Sequence, residues 1–313
     1  MNVLSLFDGI SCGRLALERA GIPVNKYYAS EIDFNAIKIS KKNYPNIIQL
    51  GDVCQWRTWD IDWSKIDLLI GGSPCQGFSF AGNLLNFDDP RSKLFFEYVD
   101  ILNHIKTVNP NIMFLLENVN MRKEYKDIIS KELGVEPVEI DSRILTPMRR
   151  KRNYWANWFI KIPMTNRLDI KDIIERNVSN RYFMKDEAFA KNTYVKNGKL
   201  FIKNLGNKEI EVHPYDCVVM SRAWQVRAPL IRQESHCIRA ANPDDIGIAV
   251  NTQDGIRFRK FTLHEMEKLQ TLPVGYTELK DISERKSKSC IGNGWTVDVI
   301  AHIFSYLPDE YKK

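Results

Sequence analysis

Two residues of the chain have side chains suited to nucleophilic and acid catalysis, and each follows a short apolar run. Cys75 comes after Leu68–Ile70 in the segment Gly71-Gly72-Ser73-Pro74-Cys75-Gln76, and Glu117 follows Ile112–Leu116, 42 positions after the cysteine. A cysteine on a proline-preceded turn at a strand end is placed like a nucleophile, since neighbouring helix N-termini favour its thiolate. None of the five histidines has a comparable setting, so the pair indicates a thiol with a carboxylic acid rather than a Cys/His hydrolase.

Two further acidic residues and a glycine-containing loop predict a site for a cofactor that carries adenosine. The run Val3–Leu6 leads into Phe7-Asp8-Gly9-Ile10-Ser11, where glycine at the end of a first parallel strand lets a ligand approach the backbone. Glu31 and Asp52 follow the next two runs, where one carboxylate can accept from ribose hydroxyls and the other from an adenine amino group. Either acid alone would more often be an ordinary turn residue, so the prediction depends on the ordered set. The loop lacks the G-x-G-x-x-G pattern of dinucleotide-binding proteins, which weakens the case for a nicotinamide-dependent oxidoreductase.

An alternation of apolar β-type runs and helix-like stretches over residues 1 to about 160 positions these groups. The pattern predicts an α/β fold with a mostly parallel sheet covered on both faces, because strands of such a sheet present their carboxyl ends at one edge. The runs are Val3–Leu6, Tyr27–Ser30, Ile47–Leu50, Leu68–Ile70, Ile112–Leu116 and Tyr154–Ile160. An apolar-faced helix is predicted near the end of the sequence, over Val297–Leu307.

The positive charge of the chain is concentrated in one segment. Residues 163–260 contain 17 lysines and arginines against 12 aspartates and glutamates, whereas the remainder contains 28 against 27. The segment is polar with scattered aromatic residues, which predicts a loop-rich domain that faces a polyanion such as nucleic acid. A solvated surface that is merely basic is the alternative. We predict a first domain of residues 1–162 completed by 281–313, and a second domain of residues 163–280.

Taken in order, these residues resemble the motifs of the DNA cytosine-5 methyltransferase family. The matching residues are Phe7-x-Gly9, Glu31, Asp52, Pro74-Cys75-Gln76, Glu117-Asn118-Val119, Arg150-x-Arg152 and Gly292-Asn293. The resemblance covers nearly the whole chain except the basic segment, and its catalytic motifs are also similar to those of the vertebrate de novo methyltransferases. It implies a Rossmann-like fold that uses S-adenosylmethionine, with a smaller, loop-rich target-recognition domain.

The resemblance also implies a role for each group. Cys75 would add to carbon 6 of a cytosine rotated out of duplex DNA, while Glu117 hydrogen-bonds its N3 and amino group and Arg152, with Arg150, stabilises the developing charge. Carbon 5 would receive the methyl group, leaving S-adenosylhomocysteine. The implied cofactor-binding residues are Phe7, Asp8, Gly9, Ser11, Glu31, Ile32, Asp52, Val53, Ser73, Pro74 and Asn293. The implied DNA contacts are Gln76, Ser79, Arg91, Arg222, Arg227 and Arg232, and residues 76–94 correspond to the family's mobile loop.

Four residues, at three places in the chain, depart from the family pattern. Ser11 replaces a glycine of F-x-G-x-G, Met148 lies where glutamine is common before the two arginines, and Gly294-Trp295 replaces the usual Ser-Val. These departures concern contacts with the cofactor and the base, and they leave the nucleophile, the acid and the adenosine anchors in place.

Two other functions are open, and several properties of the protein are expected from its composition. A tRNA cytosine-5 methyltransferase shares the motifs, but its Cys-Phe-Thr segment is absent; a non-catalytic DNA-binding homologue would typically lose the nucleophile. The six cysteines have no C-x-x-C spacing and no clustered histidines, so no metal site is expected. Without a signal peptide or a run of about 18 apolar residues, we expect a cytoplasmic protein. The resemblance comes without a chromatin-reading domain, which favours a bacterial or phage enzyme, and we expect it to act as a monomer.

Overall fold

The computed structural model describes residues 1–74, 90–165, 167–203, 209–219 and 230–312. The chain divides into two compact units. The first unit consists of Met1–Asp141, Lys151–Met164 and Gly294–Lys313, and the second of Ser142–Arg150 and Thr165–Asn293.

The first unit is built on a seven-stranded sheet. Its strands are β1 (Asn2–Leu6), β2 (Lys26–Ser30), β3 (Ile48–Gln49), β4 (Leu68–Gly72), β5 (Met113–Val119), β6 (Val138–Asp141) and β7 (Lys151–Ala156). They lie in the order β3-β2-β1-β4-β5-β7-β6, and β7 is antiparallel to both of its neighbours while the other pairs are parallel. The predicted α/β fold with a mostly parallel sheet is confirmed.

Helices connect the strands of the first unit and contribute to the second. They are α1 (Cys12–Arg19), α2 (Phe34–Asn43), α3 (Pro90–Val108), α4 (Lys123–Leu133), α5 (Ile170–Ile173), α6 (Asp186–Asn192), α7 (Leu263–Leu269), α8 (Glu284–Asn293) and α9 (Val297–Phe304). In the first unit α9 packs against α1, because its buried face is formed by apolar residues such as Val297, Ile300 and Phe304. Strand residues such as Leu4 and Leu69 are fully buried, as expected in a parallel sheet covered on both faces.

The second unit contains two small antiparallel sheets. The sheet β10-β9-β8 is formed by β8 (Thr193–Lys196), β9 (Lys199–Lys203) and β10 (Glu209–Glu211), and the sheet β11-β12-β13 by β11 (Cys217–Val219), β12 (Ile246–Thr252) and β13 (Gly255–Lys260). A fully buried ion pair joins Arg259 of β13 to Glu265 of α7 at 2.6 Å. Glu265 also accepts from the backbone N–H of Thr262 at 2.8 Å, which closes a capping box at the start of α7.

The compact units begin and end at positions other than the predicted domain boundaries. The segment Ser142–Arg150 and helix α8 belong to the second unit, so the last segment of the first unit begins at Gly294 rather than at residue 281. Helix α8 packs against α7 and against the turn Pro243–Asp245, both in the second unit. The functions assigned to the two domains, cofactor binding with catalysis and target recognition, stay predictions. Within the described part of the chain, none of the helices is both long enough and apolar enough to cross a membrane.

Candidate active site

The turn between β1 and α1 joins the first two groups predicted to bind a cofactor. Gly9 has a left-handed backbone with φ of 59°, and its N–H donates to Glu31 Oε2 at 2.8 Å. A Cβ built on Gly9 meets no atom within 4 Å, so the space beside this backbone is open. The other oxygen of Glu31 accepts from the N–H groups of Ile32 and Asp33 at 2.7 and 2.8 Å. The carboxylate after β2 is therefore fixed against the glycine turn.

The third predicted cofactor group lies after β3. Asp52 is exposed, and its Oδ1 accepts from the N–H of Cys54 at 2.9 Å, which caps the short 3-10 helix Val53–Thr58. Val53 is buried beneath this turn, whereas Ile32, after β2, is 75% exposed. Because β1, β2 and β3 are parallel neighbours, Gly9, Glu31 and Asp52 follow three strand ends at the same edge of the sheet.

Asp8 is a buried carboxylic acid within this turn. Its two oxygens accept from the hydroxyls of Tyr27 and Ser11 at 2.7 and 2.5 Å, and the Ser11 hydroxyl also lies 2.6 Å from that of Ser40. Burial raises the pKa of Asp8 from 3.8 to about 6; the hydrogen bonds from Ser11 and Tyr27 oppose the shift and the charge of Glu31 adds to it. Asp8 thus supports the turn from inside, and Ser11 has a buried hydrogen-bonding role that a glycine could not fill.

Glu117 lies at the same edge of the sheet, on β5. It is 8% exposed and pairs with Gly72 of β4 on one side and with Tyr154 of β7 on the other. Arg152 Nε lies 3.0 Å from its Oε1, and the indole N–H of Trp295 donates to its Oε2 at 3.1 Å. The predicted acid and Arg152 are therefore in direct contact.

The next residue on β5 holds the end of β4. The amide of Asn118 donates from Nδ2 to Ser73 Oγ at 2.9 Å, and its Oδ1 accepts from the N–H of Val119 at 2.8 Å. Ser73 is buried and directly precedes Pro74. The backbone that leads to Cys75 is consequently fixed to the strand that carries Glu117.

The two arginines that the sequence analysis treats together have different partners. Arg152 lies on β7 in the first unit, whereas Arg150 belongs to the second. Arg150 is buried; both of its terminal nitrogens lie 3.3 Å from the carbonyl oxygen of Gly292, and Nη1 lies 3.3 Å from Cys237 Sγ. A shared catalytic role for the two arginines stays a prediction.

The remaining predicted site residues are only partly described. Arg232 pairs with the buried Asp216 at 3.1 Å, and Asn293 is an exposed residue at the end of α8. Arg91 lies in α3, but its side chain is not described. Outside the described residues lie Cys75, Gln76, Ser79, Arg222 and Arg227.

Two contacts at the site were not predicted from the sequence. Trp295 was noted only as a departure from a family pattern, and its hydrogen bond to Glu117 spans 178 positions of the chain. The Asn118–Ser73 bond was likewise not predicted. The adjacent motifs Glu117-Asn118 and Ser73-Pro74 were signals for it, since a polar side chain on a buried strand needs a hydrogen-bond partner.

Comparison with known proteins relates residues 1–135 to the family model described as C-5 cytosine-specific DNA methylase. The chain is 28% identical to Type II methyltransferase M1.ScrFI of Lactococcus lactis subsp. cremoris, over 100% of the chain and 79% of that protein. It is 41% identical to Type II methyltransferase M.Eco47II of Escherichia coli, over 38% of the chain and 27% of that protein.

The fold has a counterpart among solved structures. The methyltransferase EhMeth of Entamoeba histolytica superimposes with a TM-score of 0.67 at 19% identity, over 100% of the chain and 99% of that structure. At this identity the likeness shows the fold.

Proposed function

We propose that the chain, which matches the C-5 cytosine-specific DNA methylase family model over residues 1–135, transfers a methyl group from S-adenosylmethionine to carbon 5 of a cytosine in a specific duplex DNA sequence. The observation that carries the proposal is the position of Glu117. A buried carboxyl group is held at the strand-end edge of the sheet, and Asn118 beside it donates to the hydroxyl and carbonyl oxygens of Ser73, two residues before Cys75.

The residues at this edge fit the adenosine part of the cofactor. The space beside Gly9 admits a ligand against the backbone, and Glu31 is held on that turn by the Gly9 N–H. The exposed Asp52 follows the neighbouring strand. We assign Glu31 to the ribose hydroxyls and Asp52 to the adenine amino group, with Phe7, Ile32 and Val53 along the purine. When bound, S-adenosylmethionine supplies an electrophilic methyl group on a sulfonium centre.

The chain's own residues make carbon 5 of cytosine nucleophilic. The Cys75 thiolate forms a bond to carbon 6, and the electrons of the ring double bond become available at carbon 5. Glu117 binds N3 and the amino group of the base, and the Arg152 guanidinium stabilises the charge that develops there. After methylation, carbon 5 loses its proton to a base and the thiolate leaves carbon 6, which restores the free enzyme. A stacked base is not accessible to these groups, so the cytosine must rotate out of the duplex.

We assign recognition of the DNA sequence to the second unit. Its segment 163–260 carries an excess of basic over acidic residues, which suits contact with phosphates, and the protein is proposed to act as a monomer. Arg232, whose Nη1 lies 3.1 Å from Asp216 Oδ2, stays a predicted DNA contact. The predicted contacts of Arg222 and Arg227 with bases stay predictions.

The function is tested by incubating the full chain with tritiated S-adenosylmethionine and either duplex DNA or tRNA. Label in DNA is expected; label in tRNA alone would support an RNA methyltransferase, and no label in either would contradict catalysis. Cys75→Ser is expected to abolish transfer and to keep its affinity for S-adenosylhomocysteine, while the matched variant Cys54→Ser keeps both. Normal turnover by Cys75→Ser would refute the covalent mechanism. Bisulfite sequencing of a plasmid methylated in cells then gives the recognised sequence.

A further inference from the structure

The indole ring of Trp295 contacts the carboxyl group to which we assign the base. We propose that Trp295 is a positioning residue for methyl transfer, which holds Glu117 in the orientation from which its carboxyl group binds the cytosine. The inference rests on the proposed function, because it concerns how the acid is presented to that substrate.

Among the residues that the structure describes, Trp295 and Arg152 each place a donor on a different oxygen of Glu117. Trp295 Nε1 donates to Oε2 at 3.1 Å, and Arg152 Nε lies 3.0 Å from Oε1. The side chain of Glu117 is 10% exposed, so little water competes for these positions. Since hydrogen bonds weaken steeply away from linear geometry, rotation of the carboxyl plane would weaken both contacts. The two donors therefore fix the plane as well as the position of the group.

A glycine on β4 makes room for the indole and its hydrogen bond. A Cβ on Gly72 would lie 2.9 Å from Trp295 Nε1 and 3.0 Å from Glu117 Oε2, so a side chain there would collide with both ends of the hydrogen bond. The absence of a side chain at Gly72 is thus matched to the ring and to its bond with Glu117.

The backbone of Trp295 is held by the helix that follows it. Thr296 precedes α9, and its carbonyl oxygen accepts from the N–H groups of Val299 and Ile300 at 3.1 and 3.3 Å. Helix α9 packs against α1, and Val297 and Ile300 are fully buried. The indole consequently projects from a rigid helix start rather than from a free loop.

The chemistry of the indole suits this role. An indole N–H is a donor only and carries no charge, so it fixes Oε2 as an acceptor without adding a second cation beside Arg152. Each carboxyl oxygen has about two lone-pair positions, so beside the two described donors there is room for the amino N–H of the base on one oxygen and for a proton shared with N3 on the other. The arginine supplies the charge at the site, and the tryptophan contributes orientation.

The test compares Trp295→Phe with Trp158→Phe in the full chain. Trp158 is a matched control: it is also half-buried in the first unit, and its Nε1 donates at 3.1 Å to the carbonyl oxygen of Ile303, away from Glu117. For Trp295→Phe we expect kcat on duplex DNA to fall about tenfold, the effect of one hydrogen bond to a charged group. Its dissociation constants for S-adenosylhomocysteine and for duplex DNA should stay within about twofold of the parent. Trp158→Phe should retain the parental kcat.

A second variant separates orientation from packing. Replacement of Trp295 alone by 3-benzothienylalanine exchanges the N–H for sulfur and keeps the shape of the ring, so it should reproduce the loss in kcat with a smaller fall in melting temperature than Trp295→Phe. Formation of the covalent adduct on duplex DNA with 5-fluorocytosine should slow by the same factor. The inference is overturned if this variant retains the parental kcat, or if the loss appears only in affinity for S-adenosylhomocysteine. If the parent protein methylates no DNA, the proposed function itself falls, and with it the inference; an active parent with an unaffected variant contradicts the inference alone.

Discussion

Replacing the buried Asp8 by asparagine should change how the stability of the first unit depends on pH. The pKa of Asp8 is raised from 3.8 to about 6 in the folded protein. The folded state therefore binds the proton more tightly than the unfolded chain, so this group reduces the free energy of unfolding as the pH rises from about 4 to about 6. The reduction is complete above the folded pKa. With about 1.4 kcal/mol per pKa unit, it amounts to about 1 kcal/mol at pH 4.5 and about 3 kcal/mol at pH 7.5.

Asparagine matches the shape of aspartate and has no charge to lose. Its oxygen can accept from Tyr27 and its amide can donate to the Ser11 hydroxyl, which keeps the geometry of the turn. Any fixed difference between the two side chains is the same at both pH values. The free energy of unfolding of Asp8→Asn, measured relative to that of the parent, should therefore increase by about 2 kcal/mol between pH 4.5 and pH 7.5.

Urea unfolding followed by tryptophan fluorescence is the suitable assay. Six of the seven tryptophans lie within the first unit, so the signal reports on the unit that contains Asp8. The control is Asp60→Asn, which removes a carboxyl group from an exposed position of the same unit. A difference between Asp8→Asn and the parent that is the same at both pH values would refute the assignment of a raised pKa to Asp8.

Two further substitutions test one contact in each unit: the space beside Glu117 in the first and the buried ion pair in the second. Gly72→Ala should lower kcat at least as much as loss of the Trp295 donor, because its Cβ would lie within 3.0 Å of both Trp295 and Glu117; a parental kcat would show that the site tolerates the methyl group. Arg259→Met should reduce the free energy of unfolding of the second unit by about 3–5 kcal/mol, since it leaves the buried Glu265 without its cation, and scanning calorimetry measures the loss. The double variant Arg259→Met/Glu265→Gln should recover part of that stability, and equal losses in the two proteins would contradict the charge argument.

The sequence predicted most of the sheet because its strands are continuous apolar runs. It did not predict β6, which has a single buried residue, Ile140, among its four positions and hence no clear apolar run. It also could not give the direction of β7, since a buried strand has the same apolar composition in either orientation. The sequence also predicted that Gly9, Glu31 and Glu117 lie at the same edge of the sheet, because each of them comes at the end of an apolar run.

The contacts within the site depended on distances that local patterns do not contain. The Glu117–Trp295 bond spans 178 positions, and the partners of Arg150 and Arg152 differ although the residues are two positions apart. Arg152 is aligned by the strand register, in which it pairs with Val119, two residues after Glu117. Arg150 precedes β7 and is bound instead to the carbonyl oxygen of Gly292. Such differences arise from tertiary structure, so motif spacing alone could not separate the two arginines.

The division of the chain has a consequence for engineering specificity by exchanging modules between relatives. The nine residues Ser142–Arg150 belong with Thr165–Asn293, from which β7 and the strand's flanking residues separate them in sequence. Arg149 pairs with Glu234 at 2.7 Å, and the N–H of Ser235 donates to the carbonyl oxygen of Pro147 at 2.6 Å. A hybrid that receives only residues 165–293 from a relative would keep its own Ser142–Arg150, and this peptide would lose its original partners Glu234 and Ser235. A graft that carries both pieces keeps these bonds intact.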